Sequence, residues 1–343
     1  METYEMLYKG TFELVTYGRL GRKISFKGLD IEPLSEEIKG YPLSKMTIEV
    51  GANNELEAGE KLVEQANWFA DLFTLISDET FLITRPLDLG RAEEPPFPLY
   101  DSPPWITPKS SLSSVSIPQS IEDLNLYIQK IYEYNKNVYK RIRRCLYFFR
   151  RAKIAYFHGN AALSLICYIA ALETIATYIL SAHKKWKIKL FKLFFKKWRP
   201  KHGEKINVLM QLFFSASNVM APASIPCDEL LRNFKKILER AYRVRNNILH
   251  EGGYVIEEKH PQIEKITLPK NLFIKISTLD GRTIEAKVGE VGYQRRTTER
   301  DRLFVELLPL LNFIVRVILI WFIIIGIFML SKKICLKSCF LKI

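Results

Sequence analysis

Hydrophobic and polar residues alternate first at the amino terminus. Gly10 to Tyr17 and Lys23 to Gly28 have the period of strands, with Gly18 and Gly21 available for the turn between them, and Met46 to Val50 repeats the pattern. From Gly59 to Ile76 the period lengthens. Leu62, Ala66, Phe69, Phe73 and Ile76 recur every three or four residues, which predicts a helix. Residues 1–84 are therefore expected to form a small α+β unit. No catalytic constellation is visible in it.

The pattern then breaks. Eight of the 16 prolines lie between Pro86 and Pro118, among several serines, and proline at that density opposes both helix and sheet. Residues 85–119 thus read as a linker or a draped loop, and as the best domain boundary.

Helical periodicity dominates afterwards. Helices are expected over Ile121–Tyr134, with Ser120 as a cap, then Tyr139–Tyr156, Asn160–Ala182, Lys205–Phe214 and Asp228–Leu249, the last stopping at Gly252-Gly253. Residues 254–297 change character. Leu272–Thr278 and Arg282–Val288 alternate around Asp280-Gly281, a hairpin signal. Thr298–Leu330 returns to helix. The expected fold class is an α+β amino-terminal unit followed by a mainly α-helical bundle over 120–330, with a β-hairpin insertion at 254–297 and a basic tail at 331–343.

Composition excludes some classes and leaves others. At 343 residues, 48% hydrophobic and 26% charged, the chain is an ordinary globular sequence, neither disordered nor a polytopic membrane protein. Its net charge of +14 is unevenly placed. Residues 1–135 hold 12 basic and 22 acidic side chains; residues 136–202 hold 17 basic and a single acid, Glu173; residues 203–343 hold 22 basic and 14 acidic. A block this basic attracts a polyanion, either nucleic acid or an anionic membrane face.

Five scattered cysteines give no zinc spacing, and Cys145 and Cys167 sit in apolar helical patterns as buried thiols. Glu2 and Glu5 follow Met1 without an apolar core, so no secretory signal is expected and a reducing, cytoplasmic setting fits best. No metal or cofactor is expected.

The chemistry concentrates in Arg243-Val-Arg245-Asn246-Asn-Ile-Leu-His250 at the end of a predicted helix. Asn246 and His250 are four apart and share a face, and Arg243 lies seven before His250 on that stripe. Arg245 is about 140° round from His250, and its long side chain can bend toward the same pocket. His250 falls in the last turn, where the negative end of the helix dipole favours imidazolium. Metal-independent RNA cleavage uses such groups. The substrate's own 2′-hydroxyl attacks the adjacent phosphorus, a group such as His250 moves the proton, and a fixed cation such as Arg245 holds the phosphate while charge builds. Asn246 would orient either one or bind the phosphate. In isolation an Arg followed by His is more often a solvated helix end.

The region resembles the higher eukaryotes and prokaryotes nucleotide-binding (HEPN) family, in particular its ApeA-like branch. That family's motif is Arg, four to six residues, then His, with a polar residue after the Arg, which Arg245, Asn246 and His250 match. The likeness extends upstream through Cys145-Leu-Tyr-Phe-Phe-Arg-Arg-Ala and through Leu165-Ile-Cys-Tyr-Ile-Ala-Ala-Leu-Glu173, covering roughly residues 120–325. The resemblance implies a helical bundle, a homodimer in which two Arg/His pairs face one another, and often an RNA-cleaving defence or toxin role. Other members bind nucleotide, RNA or protein without cleaving. The long 254–297 insertion departs from the pattern directly after the motif.

Three features keep more than one reading each. Glu173, in an apolar helix, either pairs with a buried arginine or caps a neighbouring element, or it orients Arg245 or His250. The run containing Lys184, Lys185, Lys187, Lys189, Lys192, Lys196, Lys197 and Arg199, with Trp186 and Trp198, is a packed amphipathic helix, an RNA-binding surface or a membrane-surface helix. The apolar stretch 307–330 is a buried final helix, a dimer contact or a single membrane anchor, and in lipid Arg316 would cost about 2.5–3.5 kcal/mol.

Overall fold

The computed structural model describes residues 6–16, 19–26, 28–38, 41–86, 114–115, 125, 128, 132–133, 135–157, 160–191, 218–220, 227–251, 271–277, 283–290 and 307–331. The chain divides into two compact units: Met1–Leu126 with Lys153–Asn160, and Tyr127–Ala152 with Ala161–Ile343.

The first unit is built on β1 (Met6–Thr16), β2 (Arg19–Leu20), β3 (Ile24–Phe26), β4 (Leu29–Ile38), β5 (Tyr41–Ala52), helix α1 (Glu55–Ser77) and β6 (Phe81–Pro86). Five strands form one antiparallel sheet in the order β3-β4-β5-β1-β6. Strand β1 lies between β5 and β6, with Val15 opposite Leu43 on one side and Leu82 on the other. Helix α1 packs against β1, β5 and β6. Val15, Tyr41, Leu43 and Leu82 form a separate buried cluster, onto which Leu34 and Ile154 pack. On one face of the central strands Phe12, Leu14, Met46 and Ile48 are all within 3% of full burial.

Local chemistry fixes the ends of α1. Asn54 is extended and its Oδ1 accepts from the Glu57 amide at 2.9 Å, satisfying one of the first-turn donors. Glu57 reaches back to the Asn53 amide at 3.1 Å. At the other end Asp78 adopts a left-handed conformation with φ 60°, and Lys153 Nζ donates to its carbonyl oxygen at 2.7 Å and to Oδ1 at 3.0 Å. A cation there complements the negative end of the helix.

The expected α+β unit is therefore present, with strands β4 and β6 beyond those legible in the pattern. Of the expected linker, Ser114–Val115 forms a short strand, β7, parallel to β2; residues 87–113 lie outside the described residues.

The second unit is mainly helical. Helices α2 (Lys136–Phe157, its last turn counted with the first unit), α3 (Ala161–Phe191), α4 (Cys227–Glu251) and α5 (Leu308–Ser331) carry it. Helix α5 packs on α3 and α4, and α3 on α4. Aromatic pairs mark the contacts: Phe149 of α2 with Tyr168 of α3, Tyr178 of α3 with Phe322 of α5, and Phe234 of α4 with Phe313 of α5. Tyr168 also donates to Asn312 Oδ1 at 2.8 Å, which satisfies a polar residue inside the otherwise apolar α5.

Strands β9 (Asn271–Ser277) and β10 (Thr283–Glu290) pair antiparallel, in keeping with the alternation, and β8 (Asn218–Met220) adds a third strand against β9. The Asp280-Gly281 turn and the expected helix Lys205–Phe214 lie outside the described residues.

Candidate functional site

Helix α4 presents one apolar stripe to the bundle. Phe234, Ile237, Leu238, Ala241 and Val244 are buried, at the three- and four-residue spacing of a single face. That burial leaves the motif residues on the remaining surface: Arg245 is half-buried, while Arg243, Asn246 and His250 are exposed. His250 stands in the last turn of α4.

Arg245 Nη1 donates to Asn246 Oδ1 at 3.1 Å, an exposed bond between neighbouring side chains. Asn246, one of the expected site residues, is thus in contact with Arg245. His250 makes no hydrogen bond or ion pair with other described residues, and no such bond joins it to Arg245 within the chain. The angular separation expected from the spacing is retained.

A residue the pattern did not single out lies at the centre of this surface. Tyr242 of α4 donates its hydroxyl to Glu173 Oε1 of α3 at 3.0 Å. Burial, then the charge of Glu173, then the hydrogen bond to it, all push the Tyr242 phenol up, against the opposing pull of Arg245. Arg245 is therefore close enough to act on the same pair. At 100° per residue, Arg245 and Asn246 flank Tyr242 by about 60° and 40°. The tyrosine thus ties the arginine-bearing turn to α3 through the lone acid of the basic region.

Glu173 consequently serves as an anchor between α3 and α4, and one neighbour that reaches it is a tyrosine. Its sequence signal is its isolation: a single acid in an apolar helix requires a donor. Tyr242, three before Arg245 and four before Asn246, is such a donor on the motif's own stripe.

The remaining expected residues are placed as follows. Lys184, Lys185, Lys187 and Lys189 continue α3, whose backbone runs unbroken to Phe191. Lys192, Lys196, Lys197 and Arg199 lie outside the described residues. Cys145 and Cys167 are buried free thiols, as expected. Cys145 donates to the Ala171 carbonyl at 3.6 Å, and burial pushes its thiol up. Among the described residues no group of three or more His, Cys, Asp or Glu side chains could hold a metal ion.

Within α5 and at the residue before it, Leu307 to Val315 are buried apart from Pro309 and Asn312, as are Val317 to Leu319, and Arg316 is 7% exposed. One described helical stretch, Ala161–Tyr178, has the length and apolar character to cross a membrane, and 61% of it is buried inside the protein.

Compared with known proteins, the chain matches no family model, no curated protein and no solved structure.

Proposed function

We propose that the chain is a metal-independent endoribonuclease of HEPN type, acting as a homodimer in a defence or toxin-like setting. The observation that carries this reading is the arginine: Arg245, hydrogen-bonded to Asn246 on the turn that Tyr242 and Glu173 anchor, stands on the same helix end as an exposed histidine. A cation fixed before substrate arrives stabilises developing charge on phosphorus without reorganising.

In this reaction the 2′-oxygen of the substrate forms a bond to the adjacent phosphorus and the bond to the 5′-oxygen breaks. His250 as imidazole accepts the 2′-hydroxyl proton; as imidazolium it donates to the departing 5′-oxygen. A homodimer supplies two such histidines, so acceptor and donor can be separate groups. Arg245 holds the non-bridging oxygens. The products are a 2′,3′-cyclic phosphate and a 5′-hydroxyl. The acidic amino-terminal unit is assigned a sensing or restraining role, and the segment around 308–323 is assigned to the helical bundle rather than to lipid. Its buried arginine and its hydrogen bond to Tyr168 support the latter.

A non-catalytic RNA-, nucleotide- or protein-binding module is the second reading, favoured by the separation of His250 from Arg245 in one chain. Cleavage mapping in EDTA distinguishes the two. RNA should be cut to cyclic-phosphate ends, and a 2′-deoxy substitution at the cut position should abolish the cut. Cleavage of the deoxy substrate would overturn the proposal, and absence of products from all RNAs would favour the binding module.

A further inference from the structure

Helix α2, with Tyr132 just ahead of it, carries a second, independent pattern on its solvent side. Tyr132, Lys136, Lys140, Arg144, Tyr147 and Arg151 are all exposed, and their spacing is four, four, four, three and four residues. At 100° per residue the five from Lys136 onward fall within an arc of about 80°. Ile142, Leu146 and Phe149, each fully buried, occupy the opposite side. The helix Lys136–Phe157 has eight Lys and Arg residues and no Asp or Glu.

The aromatic and cationic side chains are already interleaved. Lys136 Nζ lies 5.3 Å from the centre of the Tyr132 ring, and the Arg151 guanidinium carbon lies 5.2 Å from that of Tyr147. Arg151 Nε also donates to the Tyr147 hydroxyl at 3.2 Å. Tyr132 packs edge-on against Tyr139, with centroids 4.9 Å apart, and Arg143 lies 5.8 Å from the Tyr139 ring. Even so, Tyr132 and Tyr147 are 45% and 43% exposed. Lys136, Lys140, Arg144 and Arg151 form no ion pair among the described residues.

We propose that this face of α2 is a track for single-stranded RNA, with unpaired bases stacking on Tyr132 and Tyr147 and phosphates held by Lys136, Lys140, Arg144 and Arg151. Cations with no ion pair among the described residues favour a polyanion. Exposed rings between them have a use only where bases are unpaired, because a duplex hides its base faces inside the stack. Lipid is disfavoured by the same geometry. An interfacial helix inserts its apolar face, and the apolar face of α2 is buried in the protein. From Lys136 to Arg151 the track is about 22 Å long, room for several nucleotides.

The track rests on RNA being the polyanion but not on cleavage. Fluorescence anisotropy tests it with the full chain carrying His250→Ala, so that the RNA stays intact. The probes are a labelled 12-nucleotide single strand, a duplex of equal length and phosphatidylserine vesicles. Tyr132→Ala and Tyr147→Ala should each weaken single-strand binding about fivefold or more, and leave duplex binding unchanged. Lys140→Gln with Arg144→Gln should lower the slope of log affinity against log salt by about 1.4. The control pair Lys235→Gln with Lys236→Gln, exposed on α4, should do neither.

Parent-like single-strand binding by both tyrosine variants, with circular dichroism matching the parent, would overturn the track. So would vesicles that compete fully with the RNA, or control lysines that matter as much. If the tyrosines prove dispensable while the chain with His250 cleaves RNA, the track fails and the nuclease reading stands. Tyrosine-dependent binding by a chain that cleaves nothing is the converse.

Discussion

Removing one hydroxyl at Tyr242 tests how the motif turn is held. The Tyr242→Phe change keeps the ring and deletes the 3.0 Å bond to Glu173. A hydrogen bond to a charged group contributes about 1.5–3 kcal/mol. A helical unit of this size shifts its melting midpoint by about 2–4 °C per kcal/mol, so a fall of about 3–12 °C is expected by calorimetry. Glu173→Gln keeps an acceptor for the hydroxyl and should cost less. The double variant should cost less than the two singles summed, with a coupling of about 1 kcal/mol. The pH dependence gives a second signature. An unfolded tyrosine ionises near pH 10, whereas the folded Tyr242 phenol is pushed up by burial first and by Glu173 next. A raised folded pKa means stability that is fully present below about pH 10 and lost as pH climbs beyond it. The parent should therefore lose stability more steeply than Tyr242→Phe above pH 10. Equal melting midpoints for parent and Tyr242→Phe, or parallel pH profiles, would refute the anchor.

Other consequences follow from the same packing. Asn54→Ala removes the cap of α1 and should destabilise the amino-terminal unit by about 1 kcal/mol, read from its urea midpoint. Phe73 is fully buried and packs on Phe69 and Phe81 with centroids 6.1 and 5.5 Å away, so Phe73→Ala should cost about 3–5 kcal/mol in the same assay. Cys145 should resist iodoacetamide in the native chain and react only in denaturant, by mass spectrometry, because the thiol is both inaccessible and held neutral.

What the sequence made legible depended on how far each element's signal could be read locally. Strand β1 alternates cleanly, and α1 has a full helical stripe, so both are visible in the pattern. Strand β4, Leu29–Ile38, is hidden by Pro33 and four acidic residues. It tolerates them because its three-residue neighbour β3 pairs only with Leu29–Ile31, and the register against β5 shifts between Pro33 and Glu37. Strand β6 is short and ends at Pro86, the first proline of the stretch that follows it, so little alternation is left to read. The basic run from Lys184 looks like a separate amphipathic helix, yet neither Gly nor Pro separates it from Ala161, and α3 continues to Phe191. Arg245, Asn246 and His250 are legible because polar side chains at a helix end repeat in a short pattern. Tyr242 is not, since a tyrosine on a half-buried stripe is ordinary core until the packing of α3 on α4 sets Glu173 beside it. The face of α2 is obscured differently: summed over 136–202, its charge merges with that of the later lysines.

The most direct test of the nuclease is the rate constant for RNA cleavage in EDTA by the parent and by His250→Ala and Arg245→Ala chains of equal thermal stability. Cleavage by the parent and a fall of at least about a hundredfold in each variant is the expected result, the usual contribution of a proton-transfer group or a charge-stabilising donor. Variants that cut as fast as the parent would contradict the assignment of these two residues.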